Sequence, residues 1–333
     1  MNFYQKEKAS ILAVVLKADH YIGTGHLMRV KALLPKLMLC GLTPYLITDS
    51  FDKRLTNLAC EYTQIIKCNI SDVACKVNAL HPTLTLFDHY FLQEETEKQI
   101  TSPVIVIDDL KRRHDCDLLT DANFSRKNDD YLNLVPKKCK LLIGTRYSLI
   151  RPEFLNIIRA TRKRKNILIN YGGADPAHAC VKVVTSVLAS GLQQIFNFIV
   201  LAGAANADLE KLQTLCAVNP SFKLIKSTAK VGELFSECDL AMGAYGGMFK
   251  ERLCAGLPTV NTAIADNQQG CVMMSTRLGV GEDLLLKDLE DPSKVKKSLL
   301  NLYKNRELYA HNGKKMISGE GINLVTAAIL DLL

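Results

Sequence analysis

The chain has 333 residues and a formal charge of +8, with 48% hydrophobic and 23% charged residues. That balance excludes a disordered chain, and the length suits two domains better than one core. The charge suits a nucleotide diphosphate, a nucleic acid or an acidic membrane surface without choosing among them, and part of it sits in Arg159, Arg162, Lys163, Arg164 and Lys165, a cluster that reads as a solvated connection. A 7% aromatic fraction with no tryptophan lacks the stacking platforms of single-stranded nucleic-acid binders, and no nucleic-acid partner is expected.

The segment Met1 to Ser10 is polar and charged, and the apolar run Ile11 to Leu16 is broken at once by Lys17 and Asp19. It is too short for a signal-peptide core, and no run approaches the ~18 apolar residues of a membrane span. Eleven cysteines without a C-x-x-C pair read as reduced thiols. The expectation is a cytoplasmic monomer.

Along the chain, Ile11 to Leu16, Pro44 to Ile47, Leu84 to Phe87, Val104 to Ile107 and Leu141 to Ile143 read as buried strands. Leu27 to Cys40, Asp52 to Cys60, Asp72 to Leu80 and Gln93 to Ile100 carry helical spacing between them. Alternating strand and helix imply a parallel sheet covered on both faces. After the basic stretch Arg159 to Lys165 a second series begins with the strand Asn166 to Tyr171, and Asp175 and Pro176 suit an N-cap and a first helical position. Strands follow at Asn197 to Ala202, Lys223 to Ile225, Leu240 to Met242 and Thr259 to Thr262, with helices Ala207 to Val218, Val231 to Cys238 and Met248 to Ala255. Ile322 to Leu333 reads as a closing helix. The fold class is α/β: a Rossmann-like domain over residues 1–160, a second over 161–320, and a terminal helix over 321–333.

In open α/β sheets, ligands gather at the carboxyl ends of strands, where glycine-rich turns lead into helices whose free N–H groups attract anions. Three turns qualify. The first, Asp19 to His26, has Gly23 and Gly25 beside the chain's first strand and puts His26 in the opening turn of a helix. The dipole there favours a neutral imidazole, the state a general base needs; an ordinary cap or a satisfied core histidine explains the residue equally well. Met28 stands at the third glycine position of G-x-G-x-x-G, so a dinucleotide fingerprint fits poorly. The second turn, Gly172-Gly173-Ala174-Asp175, suits a phosphate, a sugar hydroxyl or simply a tight connection. The third runs from Gly243 through Gly246, Gly247 and Met248 to Glu251. Its amides suit a diphosphate and Glu251 a ribose diol, while a glutamate in a first helical turn needs no ligand to explain it.

Asp88-His89-Tyr90, the pair Asp108-Asp109, and Asp266-Asn267-Gln268 form further strand-end polar clusters. Neighbours on a strand face opposite ways, so at least one of Asp108 and Asp109 is expected to be structural. No H-E-x-x-H, Walker A or Cys/His zinc spacing occurs, and neither a metal nor a cofactor is expected.

In one order over nearly the whole chain, the segment Asp19 to Arg29, Asp88-His89-Tyr90, the stretch Tyr147 to Phe154, Gly172 to Pro176, the Glu251 helix with Gly256 and Pro258, and Ala265 to Gln268 resemble a known family. It is the GT-B-like nucleotide-sugar hydrolase family of pseudaminic acid biosynthesis. The resemblance implies two Rossmann-like domains facing across a cleft, a small-molecule nucleotide-sugar partner, and attack of water at C1 with inversion and loss of UDP. It implies that His26 is the base and that Tyr90 lies close to the reacting sugar. Gly246, Gly247, Met248 and Glu251 would hold the nucleotide, and Asp266, Asn267 and Gln268 would line the cleft. Gly23, Gly25, Arg29, Asp88, Tyr147, Arg151, Gly172, Gly173 and Asp175 fall on the remaining matched motifs as substrate-binding positions. Where the family carries Gly-Ser-Thr before an aromatic residue and Glu, this chain has Gly246-Gly247-Met248, without the two hydroxyls. A GT-B glycosyltransferase, a hydrolysing 2-epimerase, a non-catalytic nucleotide-sugar sensor and a basic nucleic-acid binder are the competing readings.

Overall fold

Strands buried on both faces carry unbroken apolar runs instead of alternating ones, and that pattern builds two separate parallel sheets here. The computed structural model describes residues 10–18, 25–52, 56, 58–163, 165–203, 205–228 and 230–333, without the side chains of 266 and 267. Two compact units result: one takes the chain up to Leu149 together with Gly319–Leu333, the other Ile150–Ser318.

The first unit contains β1 (Ser10–Leu16), α1 (Gly25–Leu39), β2 (Leu42–Thr48), β3 (Gln64–Lys67), α2 (Val73–Ala79), β4 (Leu84–Asp88), α3 (Glu94–Glu97), β5 (Val104–Ile107), β6 (Leu118–Asp121) and β7 (Lys140–Ile143). Its sheet runs β3-β2-β1-β4-β5-β6-β7, parallel throughout. The strand order reverses between β1 and β4, and a crevice for a ligand opens at such a switch point. One apolar layer joins Leu12, Val14 and Leu16 of β1 to Leu27, Val30, Leu33, Leu34 and Leu37 of α1. A second, on the opposite face, holds Ala13, Val15, Phe87, Val106 and Tyr131.

The second unit repeats the plan with β8 (Asn166–Asn170), α4 (Ala179–Ser190), β9 (Asn197–Ala202), α5 (Leu209–Ala217), β10 (Phe222–Lys226), α6 (Val231–Glu237), β11 (Leu240–Ala244), α7 (Gly247–Cys254), β12 (Thr259–Thr262), α8 (Met274–Leu278), β13 (Gly281–Asp283), α9 (Pro292–Lys304) and α10 (Arg306–Met316). Its order, β10-β9-β8-β11-β12-β13, is the doubly wound one, with the switch point between β8 and β11.

The final helix, α11 (Gly321–Leu330), packs into the first unit. Ile322, Val325, Ala328 and Ile329 join the α1 layer, each full-sized side chain contributing about 1.5–3 kcal/mol by burial. Gly321 starts the helix against the backbone of Ser148, where a Cβ would stand 2.1 Å from the carbonyl oxygen.

Three sequence expectations change. No α-helix forms among the described residues of 52–60, and the helix expected over Gln93 to Ile100 shrinks to the four residues of α3. The helix after β8 starts at Ala179 and not beside Pro176. Asp175 still caps it from a left-handed backbone position, φ 48°, by accepting from the amides of Ala179 (2.9 Å) and Cys180 (2.8 Å).

Candidate active site

At the first switch point, β4 ends in Asp88 and α1 begins one residue before His26. Both side chains are buried, His26 at 5% and Asp88 at 0% exposure, and His26 Nδ1 lies 2.5 Å from Asp88 Oδ1. Burial alone would lift the Asp88 carboxyl, but Arg29 and His26 outweigh it and hold the group well below the usual carboxylate range. An ionised carboxylate only accepts, so Nδ1 carries the hydrogen, and in the neutral ring the lone pair lies on Nε2.

Arg29, one helical turn after His26, grips the same carboxylate from its other side. Nε donates to Asp88 Oδ2 (2.9 Å), Nη2 to Oδ1 (2.5 Å) and Nη1 to Asp109 Oδ2 (3.2 Å). Its Nη2 also comes within 3.4 Å of His26 Nδ1. Both are donors, so they share Oδ1 and do not bond each other. The two carboxylates keep the guanidinium protonated despite its burial.

Tyr90 completes the cluster. Its hydroxyl donates to Asp109 Oδ2 (3.0 Å) and its ring meets that of His26 edge-on at 4.3 Å. Burial, reinforced by the neighbouring Asp109, pushes the phenol well above its ordinary value, so Tyr90 is a hydrogen-bond donor at neutral pH.

The backbone after β4 is held by Arg112, whose Nη1 donates to the carbonyls of Tyr90 (2.7 Å) and Leu92 (3.1 Å) and whose Nη2 donates to that of His89 (3.2 Å). His89 Nδ1 accepts from the amides of Phe91 and Leu92 at 3.2 Å each. Its Nε2 is therefore the protonated nitrogen that donates to Asp49 Oδ1 (2.9 Å), and Asp49 Oδ2 in turn pairs with Lys17 at 3.0 Å. Burial lowers the His89 pKa, consistent with a neutral ring that fixes this turn.

The two adjacent aspartates divide their work. Asp108 accepts from the amides of Leu110 and Arg112 and from the Tyr131 hydroxyl, a structural role. Asp109 binds Arg29 and Tyr90, and its Oδ1 is buried without a hydrogen-bond partner among the described residues.

In the second unit, Gly172 has φ 92° and is followed by Gly173, whose backbone lies on Gly203; a Cβ at Gly203 would sit 2.3 Å from the Gly173 carbonyl oxygen. Gly203→Ala is therefore expected to displace this turn and destabilise the protein by about 1–3 kcal/mol, read as a lower urea midpoint. The Asp175 carboxylate, expected from the sequence as a substrate contact, is 2% exposed, and both oxygens are taken by α4 amides. It is a helix-capping group.

The turn into α7 passes through Gly246 at φ 139°, a region closed to most side chains. Gly246 and Gly247 are exposed and Met248 is half-buried. Gln268 borders the turn, its side-chain nitrogen 3.9 Å from the position of a Gly246 Cβ, and its Oε1 accepts from Ile264 N at 3.0 Å. Glu251 is bound in a fork by Arg151: Nε donates to Oε1 (2.8 Å) and Nη2 to Oε2 (3.1 Å). Two residues expected to contact substrate thus form one buried pair, with the Arg151 guanidinium stacked over Phe154 at 4.6 Å. The carboxylate keeps unused lone-pair directions for a further donor.

Tyr147 packs against the first unit's core, so the stretch Tyr147 to Phe154 straddles the two units. Gly25 opens α1. Gly23 lies outside the described residues, as do the side chains of Asp266 and Asn267, whose backbone forms a 3-10 turn.

Arg252 was not singled out from the sequence, although it falls on the core stripe of α7 with Phe249 and Leu253, three and one residues away. It is 1% exposed. Its Nη2 donates to the Ala244 carbonyl (2.6 Å) and to Asn261 Oδ1 (3.1 Å), both neutral acceptors. Nε has no partner among the described residues, and burial lowers the guanidinium to about 10. A buried cation thus binds the carbonyl at the end of β11, two residues before the turn at Gly246. Among the described residues no three His, Cys, Asp or Glu side chains converge as a metal would require, and no helix is long and apolar enough to cross a membrane.

No family model matches the chain. Over 175 residues, 51% of its length, the chain is 28% identical to the UDP-2,4-diacetamido-2,4,6-trideoxy-β-L-altropyranose hydrolase of Campylobacter jejuni, and it spans 62% of that relative's length. MurG of Acinetobacter baumannii superposes with a TM-score of 0.68 at 15% identity, covering 97% of this chain and 99% of its own. The UDP-GlcNAc 2-epimerase of Neisseria meningitidis, solved with UDP-GlcNAc, superposes with 0.66 at 12% identity, covering 96% and 100%. The sequence similarity expected from the motifs is present, and the two parallel sheets have the GT-B-like α/β arrangement of two domains.

Proposed function

We propose that the chain is a nucleotide-sugar hydrolase that releases UDP from a UDP-linked 2,4-diacetamido-2,4,6-trideoxy hexose. The observation that carries this reading is His26, held through Nδ1 by Asp88, which Arg29 fixes in turn, so that Nε2 can serve as a base. The similarity to the Campylobacter jejuni hydrolase supports the choice of substrate and of water as the acceptor.

In the proposed step, a water oxygen bonds to C1 from the face opposite the nucleotide while its proton passes to His26 Nε2. The bond from C1 to the diphosphate oxygen breaks and the electron pair leaves with UDP, inverting the anomeric carbon. A diphosphate leaves readily once its charge is met, so a single base suffices. The amides at Gly247 and Met248 and the buried Arg252 cation supply that charge without the hydroxyls that other family members carry. Tyr90, a fixed donor beside His26, orients a sugar oxygen. Glu251 takes the ribose diol while Arg151 fixes its carboxylate.

The test is incubation of purified protein with a panel of UDP-, CMP- and GDP-linked sugars in the absence of an acceptor, with free nucleotide and anomeric NMR read together. Prompt UDP release with an inverted free sugar is expected. Release only after adding an acceptor replaces the reading with a glycosyltransferase, and a product epimerised at C2 replaces it with an epimerase.

A further inference from the structure

At the amino ends of the strands in the first unit, away from the His26 cluster, Cys116 and Cys139 bring their sulfur atoms to 3.6 Å. Both are free thiols. The parallel register of β6 and β7 pairs Leu118 with Lys140, so the two cysteines sit on adjacent chains just before their strands. The sulfurs need to approach by only about 1.5 Å to reach the S–S length of a disulfide.

The two thiols differ in environment. Cys116 is 2% exposed, and either thiol can donate to the other's sulfur. Cys139 is partly exposed, the more reachable of the two, and its S–H also reaches the Lys140 carbonyl at 3.8 Å. Cys116, unlike Cys139, lines a cavity of about 350 Å³ with Glu97, Asp115, Asp117, Lys98 and Lys138; peroxide reaches Cys139 from its solvent-exposed side.

We propose that Cys116 and Cys139 form a reversible oxidative modification site, a vicinal dithiol that peroxide converts to a disulfide. The Cys139 thiolate attacks one peroxide oxygen, the O–O bond breaks, and hydroxide leaves, giving Cys139 sulfenic acid. The Cys116 sulfur then attacks the Cys139 sulfur, its proton and the hydroxyl group leave as water, and the S–S bond forms. An added dithiol reductant restores both thiols. The bond closes a loop holding β6 and Tyr131, so the oxidised protein should unfold several degrees higher.

The test treats the folded full-length protein with hydrogen peroxide, blocks remaining thiols by alkylation, and maps a non-reducing digest by mass spectrometry. A protease other than trypsin is needed, because Lys138 and Lys140 flank Cys139. A fragment joining Cys116 to Cys139, lighter by two hydrogens and separated by dithiothreitol, is expected while the exposed Cys40, Cys60 and Cys75 are still alkylated as thiols. In Cys116→Ser the sulfenic acid should persist at Cys139 and be trapped by dimedone; in Cys139→Ser no disulfide to Cys116 should form. Recovery of Cys116 alkylated as a free thiol after the exposed cysteines have oxidised overturns the proposal, as does its pairing with any other cysteine.

Discussion

His26→Ala is expected to fold and to bind UDP as the parent does, yet to lose about 10²–10⁴-fold in kcat for UDP release, the usual contribution of a positioned general base. The expectation follows from where the ring lies. Its Nδ1 is committed to Asp88, and the Asp88 carboxylate keeps two contacts to Arg29 when the imidazole is gone. Removing the ring deletes the Nε2 lone pair without leaving Asp88 unpaired. Steady-state kinetics with calorimetric UDP binding separate the two effects: an unchanged Kd with a collapsed kcat is the predicted pair. A variant that turns over at the parental rate assigns the base elsewhere.

The second large effect is expected at Asp88, because one carboxylate serves both the histidine and the arginine. Asp88→Asn offers one acceptor and one donor where Nδ1–H and two guanidinium N–H groups all need acceptors. The half-buried Arg29 then keeps only Asp109 as an ionic partner among the described residues, and the ring loses the group that fixes its tautomer. A stability loss of about 3 kcal/mol is expected, together with a fall in kcat comparable to that of His26→Ala. The stability loss depends on pH. The folded-state pKa of Asp88 lies well below its usual value because Arg29 and His26 overcome the burial that would raise it. The carboxylate therefore stabilises the native state above the unfolded value of about 3.9, and the contribution drains away as pH falls below that value toward the native one. Urea midpoints of parent and variant should differ most near neutrality and converge in acid; a gap that stays constant down to pH 3 argues that the pair contributes nothing through charge.

The strands that position this site were legible because their apolar runs are continuous. Val104 to Ile107 is buried throughout, and Leu84 to Asp88 likewise. β6 escaped notice because half of it is polar: Thr120 and Asp121 are buried, and Asp121 stays there only by accepting from Asn123, Arg126 and Tyr131, partners its own four residues do not announce. β3 shows no buried position, so no periodicity marked it. α9 did carry a signal, Asp291 before Pro292, with the carboxylate accepting from the amides of Ser293 and Lys294, which the sequence reading passed over.

For the site, local spacing could place His26 and Arg29 on one helix face, but not the partners 62 and 80 residues further on at Asp88 and Asp109. One of Asp108 and Asp109 was expected to be structural because neighbours on a strand face opposite ways, but both lie just past the end of β5, and which of them faces Arg29 was not legible. Arg252 was readable in principle, since a charge in the apolar stripe of a helix must be buried or the helix misaligned, and it shows that a lone basic residue in such a stripe merits as much weight as a glycine turn.

The placement of α11 affects how the protein is made. As the polypeptide leaves the ribosome, α1 emerges early, but the residues that cover one side of it, Ile322, Val325, Ala328 and Ile329, are translated only after all of Ile150–Ser318. At typical elongation rates of 5–20 residues per second that interval is about 10–30 s. During it the nascent first unit displays an uncovered apolar groove, a point of vulnerability to aggregation when synthesis stalls.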